Sequence, residues 1–318
     1  MNDLAIGILS ALLVAGSPFA SRWQHALVKE AAVEEQYHKL TAEDDEALAD
    51  VQRWMAENEK FRKQGAGLTS DELSAKIVIR LTKIKDAYEA FLQLHPEHIE
   101  GRIAFGSFLN EAGEEDLAAE QWEKARLMDP KNPAPWNNLA NYHGHHGPVT
   151  NSFVYYEKAI ELNPDEPVYY QNFATTVYLF RPDVRAHYGI EEQQVFDKAL
   201  GLYRKALELS PDSFPIASDL AQTYYGIKPD RPADAMVAWR DAFKLAKSED
   251  EKQGVYIHLA RLNIRSGDYA SATNELERVV LPQYAALKER LYRLIGQQQA
   301  EKKDGGVKPA TGSNDLPK

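Results

Sequence analysis

The stretch PAPWNNLANYHGHHGPVTNSFVYYEKAIELNPDEP, residues 133–167, decides the fold of this chain. Its first half places Trp136, Leu139 and Ala140 at helical spacing, and its second half repeats this alternation of large and small apolar residues. Such spacing gathers apolar side chains on one face of a helix. Because Pro164 cannot continue a helix, the stretch predicts two antiparallel helices followed by a stop.

The same pattern recurs along the chain with a fixed period. Pro96, Pro130 and Pro164 are each separated by 34 residues, and the residues between them realign at that shift. Five such units cover roughly residues 97–281, and about thirteen extra residues lie near 180–194 in the third unit. A fixed period of this length indicates a repeat architecture, in which each unit buries its apolar face against its neighbours.

These units resemble tetratricopeptide repeats, whose signature is W-x2-L-G-x2-Y, then A-x3-F and then P at the same period. Residues 133–167 depart from it at His143, in a usually aromatic column, and at Ser152, where Ala is usual. The resemblance implies an all-α fold, an α-α solenoid (a TPR superhelix) with N- and C-terminal capping helices. It also implies a non-enzymatic protein that binds a protein or peptide partner in a concave groove.

The segment before the repeats is predicted to cap the array. Residues 21–96 form this N-terminal helical cap, with one helix from about Thr41 to Arg62. A second helix is expected behind Thr69 and Glu72, which have the spacing of a capping box. The end of a solenoid needs such a cap because its last apolar face has no neighbouring repeat.

The segment after the repeats is predicted to cap the other end. Residues 282–301 form a C-terminal capping helix, and residues 302–318 are expected to be a disordered tail. The apolar face of the capping helix consists of Tyr284, Leu287, Leu291 and Leu294.

Residues 1–20 are predicted to be a signal peptide or a membrane anchor. The apolar run Leu4–Ala15 has the length of a signal-peptide core, and small residues allow cleavage after Gly16 or Ala20. However, no Lys or Arg precedes the run, and residues 4–20 also reach the lower length for spanning a bilayer. The first interpretation places the protein in the periplasm or outside the cell, and the alternative keeps it membrane-anchored.

Composition excludes several classes of function. The chain carries a formal net charge of −11, and residues 97–166 alone hold thirteen acidic and five basic side chains. Such a surface repels phosphate backbones, so no nucleic-acid partner is expected. The chain has no cysteine, which excludes disulfides, thiolate nucleophiles and Cys-type zinc sites. No P-loop, G-x-S-x-G, H-E-x-x-H or Rossmann glycine motif occurs, so neither catalysis nor a cofactor is expected.

The resemblance also implies where a partner would bind, because the first helix of each repeat lines the groove. The candidates carried over column by column are Ser107, Asn110, Asn137, Asn141, Gln171, Thr175, Ser218, Gln222, Arg261 and Arg265. Amide side chains can donate to and accept from an extended peptide backbone. Arg261 and Arg265 lie one turn apart and are predicted to hold a carboxylate of the partner. The alternative is that the amides only follow the average sequence of the repeats.

Two features do not belong to the repeat pattern. The insertion FRPDVRAHYGIEEQQ, residues 180–194, is interpreted as a loop, and its binding candidates are Arg181, Arg185, His187 and Tyr188. The alternative is a tolerated surface loop without function. The turn His143–His146 holds three imidazoles, and His145 and His146 are the candidates for a metal such as zinc or nickel. The favoured interpretation is that these histidines hold no metal.

Overall fold

The computed structural model describes the backbone of residues 18–303 and the side chains of residues 27–302. Within this range the chain is helical, with fourteen α-helices, two short 3₁₀ helices and no strand. The expected all-α repeat fold is therefore confirmed. The chain divides into two units, one ending at His145 and the other beginning at His146.

The first unit contains the N-terminal cap and the first repeat. Its helices are α1 (Pro18–Arg62), α2 (Ser70–Leu94), α3 (Ile99–Glu111), α4 (Glu115–Met128) and α5 (Pro133–His146), which ends at the unit boundary. The first repeat consists of α3 and α4, and α5 is the first helix of the second repeat. Gly113 joins α3 to α4 at a φ of 83°, a conformation that ends the first helix at little cost only for glycine.

The second unit contains the second helix of the second repeat (α6), the third to fifth repeats and the C-terminal cap. Its helices are α6 (Val149–Leu162), α7 (Pro167–Leu179), α8 (Arg181–Tyr188), α9 (Glu192–Leu209), α10 (Phe214–Thr223), α11 (Pro232–Leu245), α12 (Glu249–Ser266), α13 (Tyr269–Glu277) and α14 (Ala285–Lys303). The pairs α7/α9, α10/α11 and α12/α13 form the third, fourth and fifth repeats. Short 3₁₀ helices occupy Tyr224–Gly226 and Pro282–Tyr284.

The two helices of the first repeat pack closely through a glycine. A methyl group on Gly106 of α3 would lie 2.4 Å from Nε1 of Trp122 on α4. Trp122 is buried, and its indole N–H donates to the carbonyl of Ile103 at 3.2 Å. The five-membered ring of the indole therefore lies against Gly106 and leaves no room for a side chain there.

Helix α1 differs from its prediction at its start. Instead of beginning near Thr41, it runs without a break over 45 residues from Pro18, about 68 Å at the rise of an α-helix. The hydroxyl of Thr41 bonds back to the carbonyl of His38 at 3.0 Å, as a serine or threonine inside a helix does. Thr41 is therefore not an N-cap. The predicted end at Arg62 is confirmed.

Helix α1 packs against α2 mainly through its C-terminal half, although the ring of Tyr37 also contacts Phe91 of α2. Its residues Leu40, Asp44, Ala47 and Asn58 are buried, whereas between residues 27 and 36 only Val33 is even partly buried. The predicted capping box of Thr69 and Glu72 is present and fixes the start of α2 at Ser70. Of the described side chains, those of residues 27–32 thus extend beyond the packed cap.

A buried carboxyl group joins α1 to α2. Asp44 is 8% exposed, and its Oδ2 accepts the phenolic hydrogen of Tyr88 at 2.8 Å. Its Oδ1 is buried and makes no hydrogen bond to any described residue. Burial, the largest cause, raises the pKa of Asp44 from 3.8 to about 6, while the Tyr88 hydrogen bond acts in the opposite direction.

Helix α14 covers the apolar end of the fifth repeat. Its Leu291 and Ile295 are buried in one cluster with Ile257, Ala260 and Leu276 of α12 and α13. The other predicted face residues, Tyr284, Leu287 and Leu294, pack half-buried against that cluster. Because the remaining face of α14 is polar, the array can end there without an exposed apolar surface.

The predicted N-terminal signal or anchor and the predicted tail fall largely outside the described residues. Of these segments the structure describes only residues 18–20 and 302–303, which belong to α1 and α14. Among the described helices, none is both long enough and apolar enough to cross a bilayer.

The Gly106–Trp122 contact gives a first prediction. We expect Gly106→Ala to lower the free energy of unfolding by about 2 kcal/mol, because the added methyl group displaces the Trp122 indole from a packed core. Chemical denaturation followed by circular dichroism measures the change. Gly201→Ala is the matched control, because Gly201 lies in α9 with open space around it. There the gain in helix propensity should stabilise the protein by about 0.5–1 kcal/mol. Equal effects of the two substitutions would contradict the proposed role of Gly106.

The raised pKa of Asp44 gives a second prediction. The folded protein binds this proton more tightly than the unfolded chain, so the contribution of Asp44 to stability is fully present below about pH 4 and is lost as the pH rises through about 6. Asp44→Asn keeps an acceptor for Tyr88 without the charge. We therefore expect the variant to be more stable than the parent at pH 8, by on the order of 1 kcal/mol, and equally stable near pH 4. Thermal melts at both values test this, and a difference that does not depend on pH would contradict it.

Candidate protein-binding surface

The first helices of the second unit carry six of the residues predicted to line the groove. These residues, termed the first-helix surface, are Gln171 and Thr175 of α7, Ser218 and Gln222 of α10, and Arg261 and Arg265 of α12. In each pair the two residues are one helical turn apart, so both lie on the same side of their helix. Their contacts differ strongly from one helix to the next.

The two polar residues of α7 are held by internal hydrogen bonds. The Gln171 amide donates to Oδ2 of Asp219 on α10 at 2.7 Å. Burial raises the pKa of Asp219, and the hydrogen bond from Gln171 partly offsets this rise. The Thr175 hydroxyl lies 2.8 Å from the hydroxyl of Tyr203 on α9 and 3.0 Å from the carbonyl of Gln171. These side chains therefore connect neighbouring helices.

The residues of α10 are the most accessible part of the first-helix surface. Gln222 is exposed, and within residues 27–302 its side chain makes no hydrogen bond. The Ser218 hydroxyl bonds to the carbonyl of Pro215 at 3.0 Å and remains half-buried. An exposed amide offers both donor and acceptor atoms to another chain.

Arg261 does not occupy the place that the sequence predicts. Its residue is only 7% exposed, and its guanidinium lies over the ring of Tyr225 at 4.9 Å. The Tyr225 hydroxyl is 2.9 Å from Nδ1 of His258, whose ring stacks on Trp239 at a centroid distance of 3.9 Å. Arg261 is thus part of a packed aromatic cluster, and a partner carboxylate cannot approach it from solvent.

The aromatic cluster around Arg261 also lowers the pKa of His258. Burial is the largest cause that lowers the pKa of His258, to about 3, and the nearby Arg261 charge acts in the same direction. His258 is therefore neutral at physiological pH and contributes ring area instead of charge.

Arg265 already forms an ion pair with a carboxylate of the same chain. Its guanidinium pairs with Asp230, in the connection between α10 and α11, and Asp230 also accepts from Nζ of Lys228 at 2.6 Å. A small depression lies beside this pair, lined by Tyr224, Pro232, Leu262 and others. It holds about 10 Å³, room for a single water molecule.

The candidates in the first unit are split between buried and accessible positions. Asn110 is exposed at the end of α3, and Ser107 is half-buried with its hydroxyl bonded to the carbonyl of Ile103 at 3.2 Å. On α5, Asn137 is buried and its amide donates to Asn138 at 3.2 Å, whereas Asn141 is half-buried. Asn137 is therefore a packing residue, not an exposed floor residue.

The insertion of the third repeat is a helix and not a loop. Residues Arg181–Tyr188 form α8, which Gly189 ends at a φ of 64°. Arg181 donates to the carbonyl of Tyr178 at 2.7 Å, and Arg185 pairs with Glu191 at 3.3 Å. The buried Val184 explains why the segment is helical, since it gives α8 an apolar face.

The C-terminal end of α8 contacts α6 through a hydrogen bond and two ring contacts. The Tyr188 hydroxyl donates to Glu157 at 2.7 Å, and both Tyr188 and His187 contact the ring of Phe153. The ammonium group of Lys198 lies 4.3 Å from the Tyr188 ring centroid. Burial lowers the pKa of Lys198, against the raising effect of Glu157. Tyr188 is therefore engaged within the protein, while His187 stays exposed.

The histidines predicted to lie in a turn belong instead to the last turn of α5, and most of them lie at the surface. His145 and His146 are exposed, and His143 is half-buried with its ring edge-on to Tyr142 at 5.6 Å. Over the part of the chain whose side chains are described, no three His, Asp or Glu side chains are grouped as metal ligands.

Sequence reasoning missed the partners that hold the first-helix surface in place. Asp219, Tyr225 and Asp230 make the contacts to Gln171, Arg261 and Arg265. Asp219 lies 48 residues from Gln171, so no local spacing could have paired them. Asp230 follows a proline in a connecting segment, a position typical of turns, which gives no sign of an ion pair with α12.

Solved structures with a similar fold were found, although no protein-family model and no curated protein matches the sequence. PilW, described as a widely conserved type IV pilus biogenesis factor, has a TM-score of 0.51 and 14% identity, covering 74% of this chain and 91% of PilW. PilF of Pseudomonas aeruginosa has a TM-score of 0.50 and 16% identity, covering 81% and 99%.

A third similar structure is that of a protein described as containing TPR repeats. It is the C-terminal part of a TPR repeat-containing protein from Cytophaga hutchinsonii, with a TM-score of 0.50 and 15% identity, covering 78% of this chain and 97% of that one. The fold of this chain is therefore that of tetratricopeptide-repeat proteins, as the 34-residue period predicts. At these identities the likeness concerns the fold and not the partner.

Proposed function

We propose that this protein is a non-enzymatic scaffold or adaptor that binds a partner protein through the first-helix surface of its second unit. The tetratricopeptide-repeat fold supports this function, because arrays of helix pairs present extended surfaces to peptides or helices of other proteins. Binding is expected to center on α10, where Gln222 is accessible, and not on Arg261, which is buried.

The observation that carries the proposal is the contrast between α10 and its neighbours. The polar side chains of α7 and α12 are fixed by Asp219, Tyr203, Tyr225 and Asp230. Gln222 between them is exposed with unused donor and acceptor atoms among the described residues. A surface whose surroundings are already ordered loses little conformational entropy when a partner binds. A peptide backbone can then pair with the free amide at small cost.

Photocrosslinking at single sites tests this surface. A photoreactive amino acid at Gln222 is expected to form a crosslink with a protein of the native cell envelope, because that side chain points into the proposed contact. Val237 is the matched control, since it is 58% exposed and lies on the second helix of the same repeat. Mass spectrometry of the crosslinked product identifies the partner.

The two positions separate the possible outcomes. A protein crosslinked at Gln222 and absent at Val237 places the contact on the first helices. Equal crosslinking at both positions, or crosslinking at Val237 only, would exclude the first-helix surface as the binding site.

We further propose that the protein is exported with its N-terminal segment cleaved. Cleavage after Gly16 would leave α1 whole, whereas cleavage after Ala20 would remove its first three residues. Gly16 is therefore the favoured site. The competing proposal is a membrane-anchored assembly factor, and it gains support from residues 27–32 of α1, which are exposed and could separate the repeats from a bilayer.

The mass of the mature protein distinguishes these two proposals. We expect intact-mass spectrometry of the protein from its native host to show a chain that begins at Ser17, in the soluble envelope fraction. A chain that retains Leu4–Ala15 and sediments with membranes would exclude cleavage and establish the anchored form.

A further inference from the structure

The connection between α10 and α11 is tied to two helices, α9 and α12. This segment, residues 227–231, is termed the strap. At one side Arg231 donates to Asp197 at 2.8 Å and to Gln193 at 2.9 Å, both on α9. Gln193 in turn donates to the carbonyl of Lys228. At the other side Asp230 pairs with Arg265 of α12. The strap thus connects the third repeat to the fifth.

Asp230 occupies the place that a partner carboxylate was predicted to take. Arg265 lies in a groove-lining column, and its guanidinium is the group expected to bind an acidic ligand. In the structure that guanidinium is paired with the carboxylate of Asp230, a residue 35 positions away. The hydrogen bond from Lys228, together with the Arg265 charge, holds the pKa of Asp230 below its ordinary value, so the pair is ionised.

We propose that Asp230 occupies the position of a partner carboxylate while no partner is bound. When the partner binds, its carboxylate displaces Asp230 from Arg265. The inference rests on the proposed function and specifies its ligand as an acidic peptide. One carboxylate replaces another, so the charge at Arg265 stays the same and no guanidinium is left unpaired.

The Asp230 contact is weak enough to exchange. The side chains of Asp230 and Arg265 are 41% and 29% exposed, so water screens their attraction and reaches both groups. The depression beside them is walled by Tyr224, Pro232 and Leu262, which gives apolar surface next to the charge. A peptide that carries an acidic group can therefore bind where the strap now lies.

Competition by Asp230 has a measurable consequence. In Asp230→Asn, a fluorescein-labelled hexaglutamate peptide should bind about 2- to 5-fold more tightly than to the parent, since the lost contact is a partly exposed ion pair. Fluorescence anisotropy of the full chain at low ionic strength measures the dissociation constants. Combining Asp230→Asn with Arg265→Gln should abolish the gain. Amidated hexaglutamate distinguishes a terminal carboxylate from side-chain carboxylates, and hexaglutamine serves as the uncharged probe.

A matched substitution controls for net charge. Asp241→Asn removes one negative charge from an exposed pair with Lys244 on α11, and neither residue is among the recorded partners of the strap. It should leave the affinity unchanged. A gain in Asp241→Asn equal to that in Asp230→Asn, or a gain that survives Arg265→Gln, would show a general charge effect and overturn the proposal.

Hydrogen exchange provides a second readout on the parent protein. Saturating hexaglutamate should speed exchange of the Ile227 amide, the one strap amide with a hydrogen bond among the described residues, because displacement of Asp230 frees the strap from α12. Unchanged exchange with bound peptide would overturn the displacement, and so would the absence of peptide binding to every variant. Neither result affects crosslinking at Gln222, so this proposal and the proposed function can fail separately.

Discussion

Close approach of helices through small residues is the constraint on which the rest of the structure depends. In the first repeat Gly106 of α3 lies against the indole of Trp122 on α4, and the other repeats have Ala in the column of Gly106. The alanines that recur in these columns are almost fully buried, namely Ala118, Ala125, Ala140, Ala159, Ala174, Ala199, Ala206, Ala221, Ala242, Ala260 and Ala272. Larger side chains there would separate the helices and lose the packing contacts that stabilise each pair.

This packing also decides which polar groups remain available. Once the helices are close, polar side chains that face a neighbouring helix must find partners inside the protein, because an unpaired buried group is costly. Gln171 is satisfied by Asp219, and Arg261 is accommodated over Tyr225. Gln222 faces solvent and has no such requirement. The polar groups of the first-helix surface that a partner can reach are therefore those that helix packing does not pair internally.

The sequence predicts well those features that depend on local spacing. The period of the prolines and of the small residues predicted the helix pairs, and Thr69 with Glu72 predicted the start of α2. Prediction from the sequence failed where contacts with residues distant in the chain determine the structure. The insertion became a helix because Val184 finds a buried environment that its own sequence does not show. Arg261 was expected at the surface, since repeat columns give a direction but not the aromatic residues that cover it.

The charge of the chain is unevenly divided, and this bears on the class of partner. Residues up to His145 hold 24 acidic and 15 basic side chains, a net of −9, whereas those from His146 hold 24 and 22, a net of −2. Long-range repulsion of an acidic ligand is therefore much weaker at the second unit. There Arg265 and Lys228 share the carboxylate of Asp230, and Arg231 pairs with Asp197. Each of these cations is thus paired within the chain, and the proposed exchange of Asp230 for a carboxylate of the partner would leave the charge at Arg265 unchanged.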